Sequence, residues 1–261
     1  MTRDDLIKYA QRARVNFLDC SLDALSMSET LEIVELAIRE QTQIQHVVVN
    51  VAKLVSMRQN PVLRSDVMES DIVNVDGMGV VFGCRLFGIH IPERVSGIDL
   101  MQAILDRCTR EGWRPYFLGA RQDVLTTAMM KIKQRYPGIE IAGYHHGYFG
   151  ESEEDTIVEA IRSARPDLLF VAISSPKKER FVRRWREMFD VPVVMGVGGS
   201  IDVIAGLVRR APAWMQMTGL EWLYRLAQEP RRMWRRYLGT NLAYAWILTT
   251  KMVGHKRPSP R

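Results

Sequence analysis

The sequence predicts an α/β fold in which helices flank a mostly parallel sheet, and three observations support this prediction. Short β-rich runs alternate with helical stretches along most of the 261 residues. Several of these runs are apolar without alternation, which is typical of strands covered by helices on both faces. The helical stretches also carry recognisable start and stop signals. A Rossmann-like core fits this order of elements.

Six runs predict the strands of the sheet, and each is bounded by turn residues or by a helical stretch. They lie at residues 45–51, 71–75, 114–119, 139–144, 167–173 and 191–198. In a sheet of this kind, ligands bind beyond the carboxyl ends of the strands. The residues that directly follow these runs are therefore the candidates for a functional site.

The predicted helices between the strands are identified by their ends. Ser26 and Glu29 form a capping box ahead of an apolar helix. The stretch 97–112 ends on a glycine after a basic last turn, and the stretch 123–138 stops at Pro-Gly. The stretch 152–166 has acids in its first turn and basic residues near its end, which matches the helix dipole.

Composition places the chain among ordinary globular proteins, with 47% hydrophobic and 25% charged residues. The first residues are charged and contain no apolar h-region, so we expect no cleaved signal peptide and a cytoplasmic location. The cysteines Cys20, Cys84 and Cys108 show no CxxC spacing. We expect them to be reduced core thiols rather than zinc ligands.

The charge is distributed unevenly and predicts two parts, an α/β core at 1–208 and a basic, helical appendage at 209–261. The appendage carries eleven Lys/Arg against two acids, whereas the core carries 25 against 28. Four of the six tryptophans also lie in the appendage. Arginine interleaved with aromatic rings suits an anionic lipid surface, although nucleic acid or a plain solvated helical face would also fit.

The appendage is expected to lie at a membrane surface rather than to cross a membrane. Residues 237–250 are uncharged, but they number only 14 and are interrupted by Gly239 and Asn241. About 20 residues are needed to span a bilayer, so an interfacial helix is expected. The last eight residues are expected to be disordered.

Asp76 is the first candidate for chemistry, because it directly follows the run 71–75 and precedes Gly77. A carboxylate at this place is either a helix cap or a catalytic base at the edge of the sheet. Arg94 lies in a second strand-to-helix connection. It is either a ligand for a diphosphate, which a guanidinium can bind with two hydrogen bonds, or a surface arginine.

Gly198 and Gly199 follow the last predicted strand and precede a helix. Such a turn can bring backbone N–H groups against phosphate, or it can be a plain tight turn. It matches neither the dinucleotide-binding nor the P-loop fingerprint. Asp202, just inside the next helix, is either a partner for a base or ribose or a first-turn acid.

No metal or cofactor is expected from the sequence. The chain contains no DxD pair, and His145 and His146 have no third ligand at metal spacing, so we expect them to be loop residues. If a diphosphate leaves during a reaction here, arginines must neutralise it.

The chain contains, in this order, the motifs VNVAKLV, VDGMGVV, RVSGIDL, YFLGA, GYF, SSPKKE and GVGGSIDVIAG, and then the block RRAPAWMQMTGLEWLYRLAQEP. Together, these motifs resemble the WecG/TagA/CpsF family of bacterial glycosyltransferases. The resemblance covers residues 45 to 237, and the block at 210–230 is its most specific part. It implies a metal-independent, inverting enzyme that moves a sugar from a UDP-sugar to a polyprenyl-diphosphate-linked sugar. It also implies peripheral attachment to the inner face of the cytoplasmic membrane and is compatible with self-association.

The resemblance also assigns roles to residues. It implies that Asp76 is the catalytic base, and that Arg94 and Asn50 line the reaction centre. Tyr148 and Asp202 would hold the uracil or its ribose. The residues expected to steady the departing diphosphate from the appendage are Arg225, Arg232 and Arg235.

Two positions depart from the family's pattern near the expected sugar pocket. Val48 stands where the family usually has threonine, and Lys178 stands where it usually has glutamine. Because polar pockets discriminate substrates by hydrogen bonds, these changes should alter which sugar is accepted. A plain hexose such as glucose, for an exopolysaccharide or capsule, is the expected donor, with N-acetylmannosamine or its uronic acid as alternatives.

Two other functions remain open at this point. The chain would be a membrane-docked, nucleotide-binding regulatory or scaffold protein if Val48 and Lys178 have abolished transfer. Binding to nucleic acid rests on charge alone, and the acidic core argues against it.

Overall fold

The computed structural model describes residues 1–255, including all side chains in that range except those of residues 232, 235, 236, 254 and 255. The strands are β1 (Arg14–Phe17), β2 (Cys20–Asp23), β3 (Ile44–Val49), β4 (Ile72–Val75), β5 (Pro115–Gly119), β6 (Gly143–His145), β7 (Leu168–Ala172) and β8 (Val193–Gly196). The helices are α1 (Arg3–Ala10), α2 (Met27–Arg39), α3 (Val51–Gln59), α4 (Pro61–Met68), α5 (Met78–Leu86), α6 (Gly97–Glu111), α7 (Gln122–Arg135), α8 (Glu154–Ala164), α9 (Lys177–Phe189), α10 (Ser200–Ile204), α11 (Ala213–Met217), α12 (Glu221–Gln228) and α13 (Pro230–His255).

Strands β3 to β8 form one six-stranded parallel sheet with the order β4-β3-β8-β7-β5-β6. The predicted parallel α/β fold is therefore confirmed, and each of the six predicted runs overlaps one strand. The fourth run is the least accurate, since β6 covers only residues 143–145 instead of 139–144. His145 consequently lies in a strand, whereas we expected it in a loop.

A two-stranded antiparallel hairpin, β1 and β2, precedes the main sheet and was not predicted from the sequence. Arg14 binds the buried carboxylate of Asp23 with two hydrogen bonds of 2.7 and 2.8 Å. The same carboxylate accepts a 2.7 Å hydrogen bond from the backbone N–H of Val73 in β4. The hairpin thus covers the outer edge of β4, which would otherwise present unpaired backbone groups.

Apolar side chains cover both faces of the sheet, as the unalternating strands predict. In β7, Leu168 and Phe170 pack on the face covered by α2, α6 and α7, whereas Leu169 and Val171 pack against α8 and α9. A third cluster joins β3 and β4 to the hairpin, to α3, α4 and α5, and to α13. The strands β3, β4, β5, β7 and β8 are therefore positioned by packing from two sides, whereas β6 at the edge of the sheet is only partly buried.

The local signals read from the sequence are present at the predicted helix ends. Ser26 and Glu29 form the capping box of α2, and Gly112 ends α6 in the left-handed conformation at φ 72°. The cysteines Cys20, Cys84 and Cys108 are free and buried, as predicted.

The last part of the described chain is helical, with α11, α12 and the 26-residue α13. The helix expected over residues 237–250 is present, because α13 runs through this stretch, including Gly239 and Asn241. Within residues 1–255 no helix combines the length and the apolar character needed to cross a membrane. Of the eight residues expected to be disordered, 254 and 255 end α13, and 256–261 lie outside the described residues.

Helix α13 is packed against α5, the helix that follows Asp76. The hydroxyl of Tyr244 donates a 3.0 Å hydrogen bond to the backbone oxygen of Gly79. A Cβ added at Gly83 would lie 2.0 Å from the same hydroxyl and 2.8 Å from the ring of Phe17. The absence of a side chain at Gly83 is therefore what lets α13 approach α5.

Replacing Gly83 by alanine should displace Tyr244 and loosen α13 from α5. Overpacking of this kind costs about 1–3 kcal/mol in the free energy of unfolding. Gly239→Ala is the matched control, because nothing lies within 4 Å of the added Cβ and alanine favours the helix by up to about 1 kcal/mol. Denaturant unfolding and limited proteolysis of α13 would measure both effects, and equal stability of the two variants would contradict this packing.

Candidate active site

The carboxyl ends of β4, β3 and β8 lie side by side and place the residues that follow them at one edge of the sheet. The backbone N–H of Asp76 donates to the oxygen of Val49 at 2.9 Å, which extends the pairing of β4 with β3 by one residue. Asn50 follows β3 and accepts a 3.0 Å hydrogen bond from the backbone N–H of Lys53, so its side chain caps α3. Asn50 thus combines a structural role with a place beside the candidate base.

Asp76 does not cap the helix that follows it. Gly77 is the N-cap of α5, and no side chain makes a cap hydrogen bond there. Gly77 has φ 101°, a conformation that glycine adopts readily, and its Cβ position would lie 3.9 Å from Cβ of Asn50. The chain therefore bends sharply between Asp76 and α5, and the carboxylate of Asp76 takes no part in capping the helix.

Arg94 connects Asp76 to two other carboxylates. Its guanidinium lies 4.0 Å from Asp76 Oδ1, 3.3 Å from Asp99 Oδ2 and 3.3 Å from Glu221 Oε2. It also donates a 3.2 Å hydrogen bond to Gln216 Oε1. The Arg94 side chain is only 14% exposed, so these contacts are poorly screened by water.

A second arginine extends this arrangement. Arg210 binds both carboxylate oxygens of Asp99 at 2.5 Å and donates to Gln216 Oε1 at 2.8 Å. Ser96, the N-cap of α6, also donates to Asp99. We call the set formed by Asp76, Arg94, Asp99, Arg210, Gln216 and Glu221 the arginine–carboxylate network. It joins α6 to α11 and α12 directly beside Asp76.

This environment raises the pKa of Asp76 to about 6. Burial is the main cause, because it disfavours the charged carboxylate. The positive charge of Arg94 lowers the pKa, whereas the negative charges of Glu221 and Asp99 raise it. Asp76 still retains 26% of its side-chain exposure, so it is enclosed by protein and yet open to a ligand.

The pKa of Asp99 shifts in the opposite direction. Burial raises it, but hydrogen bonds from Arg210 and Ser96 outweigh burial and hold the pKa below its usual value. Asp99 therefore remains an anion that orients the two arginines, whereas the raised pKa of Asp76 lets its charge change near neutral pH.

A second group of charges lies over β3 and β8. Lys53 and Lys178 both contact Oε1 of Glu179, at 2.8 and 3.4 Å. We call these three residues the lysine–glutamate cluster. Burial opposes ionisation of Glu179, but the two lysines outweigh it and lower its pKa to about 2. Burial and the charge of Lys53 lower the pKa of Lys178 to about 8.

The end of β8 accommodates Lys178 and begins the glycine turn. A Cβ at Gly196 would lie 2.9 Å from Cε of Lys178, so a larger residue would push the lysine away. Gly198 has φ 52°, and the Cβ position of Gly199 lies 3.4 Å from the guanidinium of Arg225 and 3.6 Å from Oδ2 of Asp202. Arg225 of α12 therefore faces this turn together with Asp202.

The remaining predicted residues fall at the two sides of this edge. Val48 lies beside the first turn of α6, 3.6 Å from the Cβ position of Gly97. Tyr148 follows β6 and is 72% exposed. Tyr148 and Asp202 both interact electrostatically with the guanidinium of Arg121. The side chains of Arg232 and Arg235 are not among those that the structure describes.

Positive and negative charge are separated across the site. In the arginine–carboxylate network, three carboxylates face two guanidiniums, whereas in the lysine–glutamate cluster two ammonium groups face one carboxylate. Nowhere in residues 1–255 do three or more His, Cys, Asp or Glu side chains converge as a metal site would require. The site thus has an excess of negative charge around Asp76 and an excess of positive charge around Lys178.

Comparison with known proteins identifies the family of the chain. The sequence profile of the glycosyl transferase WecG/TagA/CpsF family matches residues 15–258. The chain belongs to this family.

Two characterised relatives extend the comparison. An N-acetylglucosaminyldiphosphoundecaprenol N-acetyl-β-D-mannosaminyltransferase of Bacillus spizizenii is 38% identical over 180 residues, which is 69% of each chain. The protein of the same name from Bacillus subtilis strain 168 is 38% identical over 169 residues, or 65% of each chain. The family resemblance read from the motifs is therefore confirmed.

Sequence reasoning missed several members of this candidate site. Asp99 lies in the motif RVSGIDL and Lys53 in the motif VNVAKLV. Both residues lie in the first turn of a helix, and this position could have drawn attention to them. Arg210, Gln216 and Glu221 also lie in the most specific block. The contacts of Gln216 and Glu221 with Arg94, and of Arg210 with Asp99, span more than a hundred residues. No local pattern predicts such contacts.

The opposite charges around Asp76 should shift its pKa in opposite directions. Glu221→Gln removes a negative charge and should lower the pKa of Asp76 below about 6, whereas Arg94→Gln removes a positive charge and should raise it. Carboxyl ¹³C NMR titration, assigned with Asp76→Asn, measures both shifts. Glu159→Gln, on the exposed surface of α8, should leave the pKa unchanged, and shifts of the same sign in the two test variants would refute this arrangement.

Proposed function

We propose that the protein is an inverting glycosyltransferase that moves a sugar from a UDP-sugar to a polyprenyl-diphosphate-linked sugar, with Asp76 as the base. The observation that carries the proposal is the pKa of Asp76, about 6, in a carboxylate that remains accessible at the carboxyl edge of the sheet. A general base is most effective when its pKa lies near the working pH. The names of the two relatives, which specify a diphosphoundecaprenol-linked acceptor sugar, support the acceptor class.

In the proposed reaction, Asp76 accepts the proton of an acceptor hydroxyl as that oxygen attacks the anomeric carbon of the donor. A new C–O bond forms on one face of the sugar, and the bond to the diphosphate breaks on the other. The UDP leaves with the electron pair of the broken bond. Attack from the opposite face inverts the anomeric configuration.

Arg225 and the Gly198-Gly199 turn are proposed to hold the departing diphosphate, since the guanidinium lies directly over the turn. Arg232 and Arg235 are proposed to assist from α13. Electrostatic stabilisation by arginine supplies the charge neutralisation that a metal ion provides in other enzymes. Tyr148 and Asp202 are proposed to bind the uridine, and Asn50 and Arg94 to line the reaction centre.

The sugar donor is proposed to be a hexose derivative, neutral or carboxylated, used for a cell-surface polysaccharide. The enzyme is proposed to act at the inner face of the cytoplasmic membrane, where it attaches to anionic lipid without crossing the bilayer. On α13, the side chains of Trp234, Leu238, Leu242 and Trp246 are spaced four residues apart and are 48, 55, 62 and 71% exposed. Side chains at this spacing share one face of a helix.

Asp76→Asn should lower the rate of acceptor-dependent UDP release by about 10²–10⁴-fold, because removal of a general base costs that much. UDP should still bind, since the amide has the same shape. Asp106→Asn, on the exposed side of α6, is the control. Turnover close to wild type in Asp76→Asn would exclude the proposed base, and UDP binding without release for any donor would favour a membrane-docked nucleotide-binding protein.

The pH profile gives an independent readout of the same base. Asp76 must be ionised to accept a proton, so the rate should be on its plateau above pH 7 and fall by about tenfold per unit below pH 6. In Asp76→Asn this acidic limb should be absent from the residual rate. Persistence of the limb in the variant would assign it to another group.

Polar substitution of the exposed face of α13 tests attachment to lipid. The double substitution Leu242→Gln and Trp246→Gln should reduce co-sedimentation with anionic vesicles by about tenfold or more, because each buried apolar side chain contributes roughly 1.5–3 kcal/mol. Thr249→Gln, also exposed on α13, is the control. Truncation is a poorer test, since Met233 and Tyr244 of α13 are buried. Unchanged sedimentation of the double variant would rule out this face as the lipid contact.

A further inference from the structure

Helix α5 exposes two large apolar side chains beside a cation. Phe82 and Leu86 are four residues apart, share one side of the helix and are 41 and 58% exposed. Arg85 lies next to them and is also exposed. We call these three residues the outer face of α5. Large apolar side chains exposed together mark a contact with a ligand or a partner.

The outer face of α5 continues into a cavity at the end of the helix. The cavity has a volume of about 160 Å³ and is lined by Val81, Arg85, Gly88, Ile89, His90 and Ile91. Its walls are mostly apolar, whereas Arg85 and His90 bring nitrogen donors to it. Among the residues that the structure describes, no carboxylate forms an ion pair with Arg85. The guanidinium next to apolar walls therefore fits an anion that is joined to an apolar chain.

The outer face of α5 lies beside the candidate active site. The helix begins two residues after Asp76. Gly219 packs on its first turns, since the Cβ position of Gly219 lies 3.1 Å from Cβ of Met78 and 3.4 Å from Cε2 of Phe82. The helices on either side of Gly219, α11 and α12, belong to the arginine–carboxylate network around Asp76. Arg85 lies about 10 Å further along the helix axis than Met78, a span that a sugar ring and its diphosphate can bridge.

We propose that the outer face of α5 and its cavity bind the polyprenyl-diphosphate part of the acceptor. Arg85 contacts the diphosphate, and Phe82 and Leu86 contact the first isoprene units of the chain. The inference rests on the proposed function for the identity of the acceptor. The acceptor sugar then extends from Arg85 towards Asp76, which deprotonates its hydroxyl. Because the donor's diphosphate lies under Arg225, the enzyme has separate sites for its two diphosphates.

Farnesyl diphosphate, which joins a short isoprenoid chain to a diphosphate, is a probe for this subsite that requires no transfer. Isothermal titration of the full chain in excess UDP would keep the probe away from the donor site. Farnesyl diphosphate should bind about tenfold or more tighter than inorganic diphosphate, because its chain buries apolar surface on the protein.

Two variants separate the parts of the subsite. Arg85→Gln should weaken binding of both probes by about tenfold, because it removes a charged donor. The double substitution Phe82→Gln and Leu86→Gln should weaken binding of farnesyl diphosphate alone, by about tenfold or more. Neither variant should change the affinity for UDP, which also verifies that the variants are folded. Lys133→Gln and Met130→Gln, on the exposed side of α7, are the matched controls and should bind both probes like the wild type.

The other outcomes overturn the inference or separate it from the proposed function. Equal affinity of the wild-type chain for the two probes would overturn it, and this comparison does not depend on any variant. Weaker co-sedimentation of the double variant with anionic vesicles that lack polyprenyl lipid would make the outer face of α5 a membrane contact instead. A changed molar mass of that variant in solution would place a second copy of the chain there.

Transfer assays distinguish failure of the subsite from failure of the transferase. An unchanged KM for a polyprenyl-linked acceptor in both variants would leave the glycosyltransferase standing without this subsite. Selective binding of farnesyl diphosphate with no transfer from any donor would support the subsite and contradict the transferase.

Discussion

The guanidinium of Arg94 is the group on which the arrangement around Asp76 depends. It meets carboxylates that belong to three separate parts of the chain, at the end of β4, in the first turn of α6 and at the start of α12. Without this cation, three mutually repelling carboxylates would face one another in a poorly hydrated space. The same contacts fix α11 and α12 against the sheet. One residue thus links the placement of α11 and α12 to the charges around Asp76, whose pKa is raised mainly by burial.

The separation of charge across the edge of the sheet follows from the strand order. Because β4, β3 and β8 are neighbours, Asp76, Asn50 and Gly196 fall in a row, and α9 brings Lys178 over the far end of that row. The arginine–carboxylate network is negative in total and the lysine–glutamate cluster is positive. A substrate that has a hydroxyl to be deprotonated at one end and negative charge at the other matches this polarity.

Local signals in the sequence predicted the six strands of the sheet, the capping box of α2 and the glycine end of α6, because hydrophobic pattern and capping act over a few residues. They also located Asp76 at the edge of the sheet. They did not predict the β1–β2 hairpin, whose stability depends on the buried Arg14–Asp23 pair and on a hydrogen bond from Val73. They also predicted a helix over residues 237–250, and α13 runs through Gly239 although glycine has a low helix propensity. The network around Arg94 joins residues far apart in the sequence, so no periodicity reveals it.

The strand order also has a consequence for biosynthesis. β8 is the last strand to leave the ribosome, yet it lies in the middle of the sheet and pairs with β3 on one side and β7 on the other. Until residue 196 has emerged, β3–β4 and β7–β5–β6 are two separate half-sheets, each with an apolar edge that has no partner. The free edge of β3 therefore lacks its partner from residue 75 to residue 196, whereas the free edge of β7 lacks its partner only from residue 172 onward. A single four-residue strand then closes the gap between them and completes the fold.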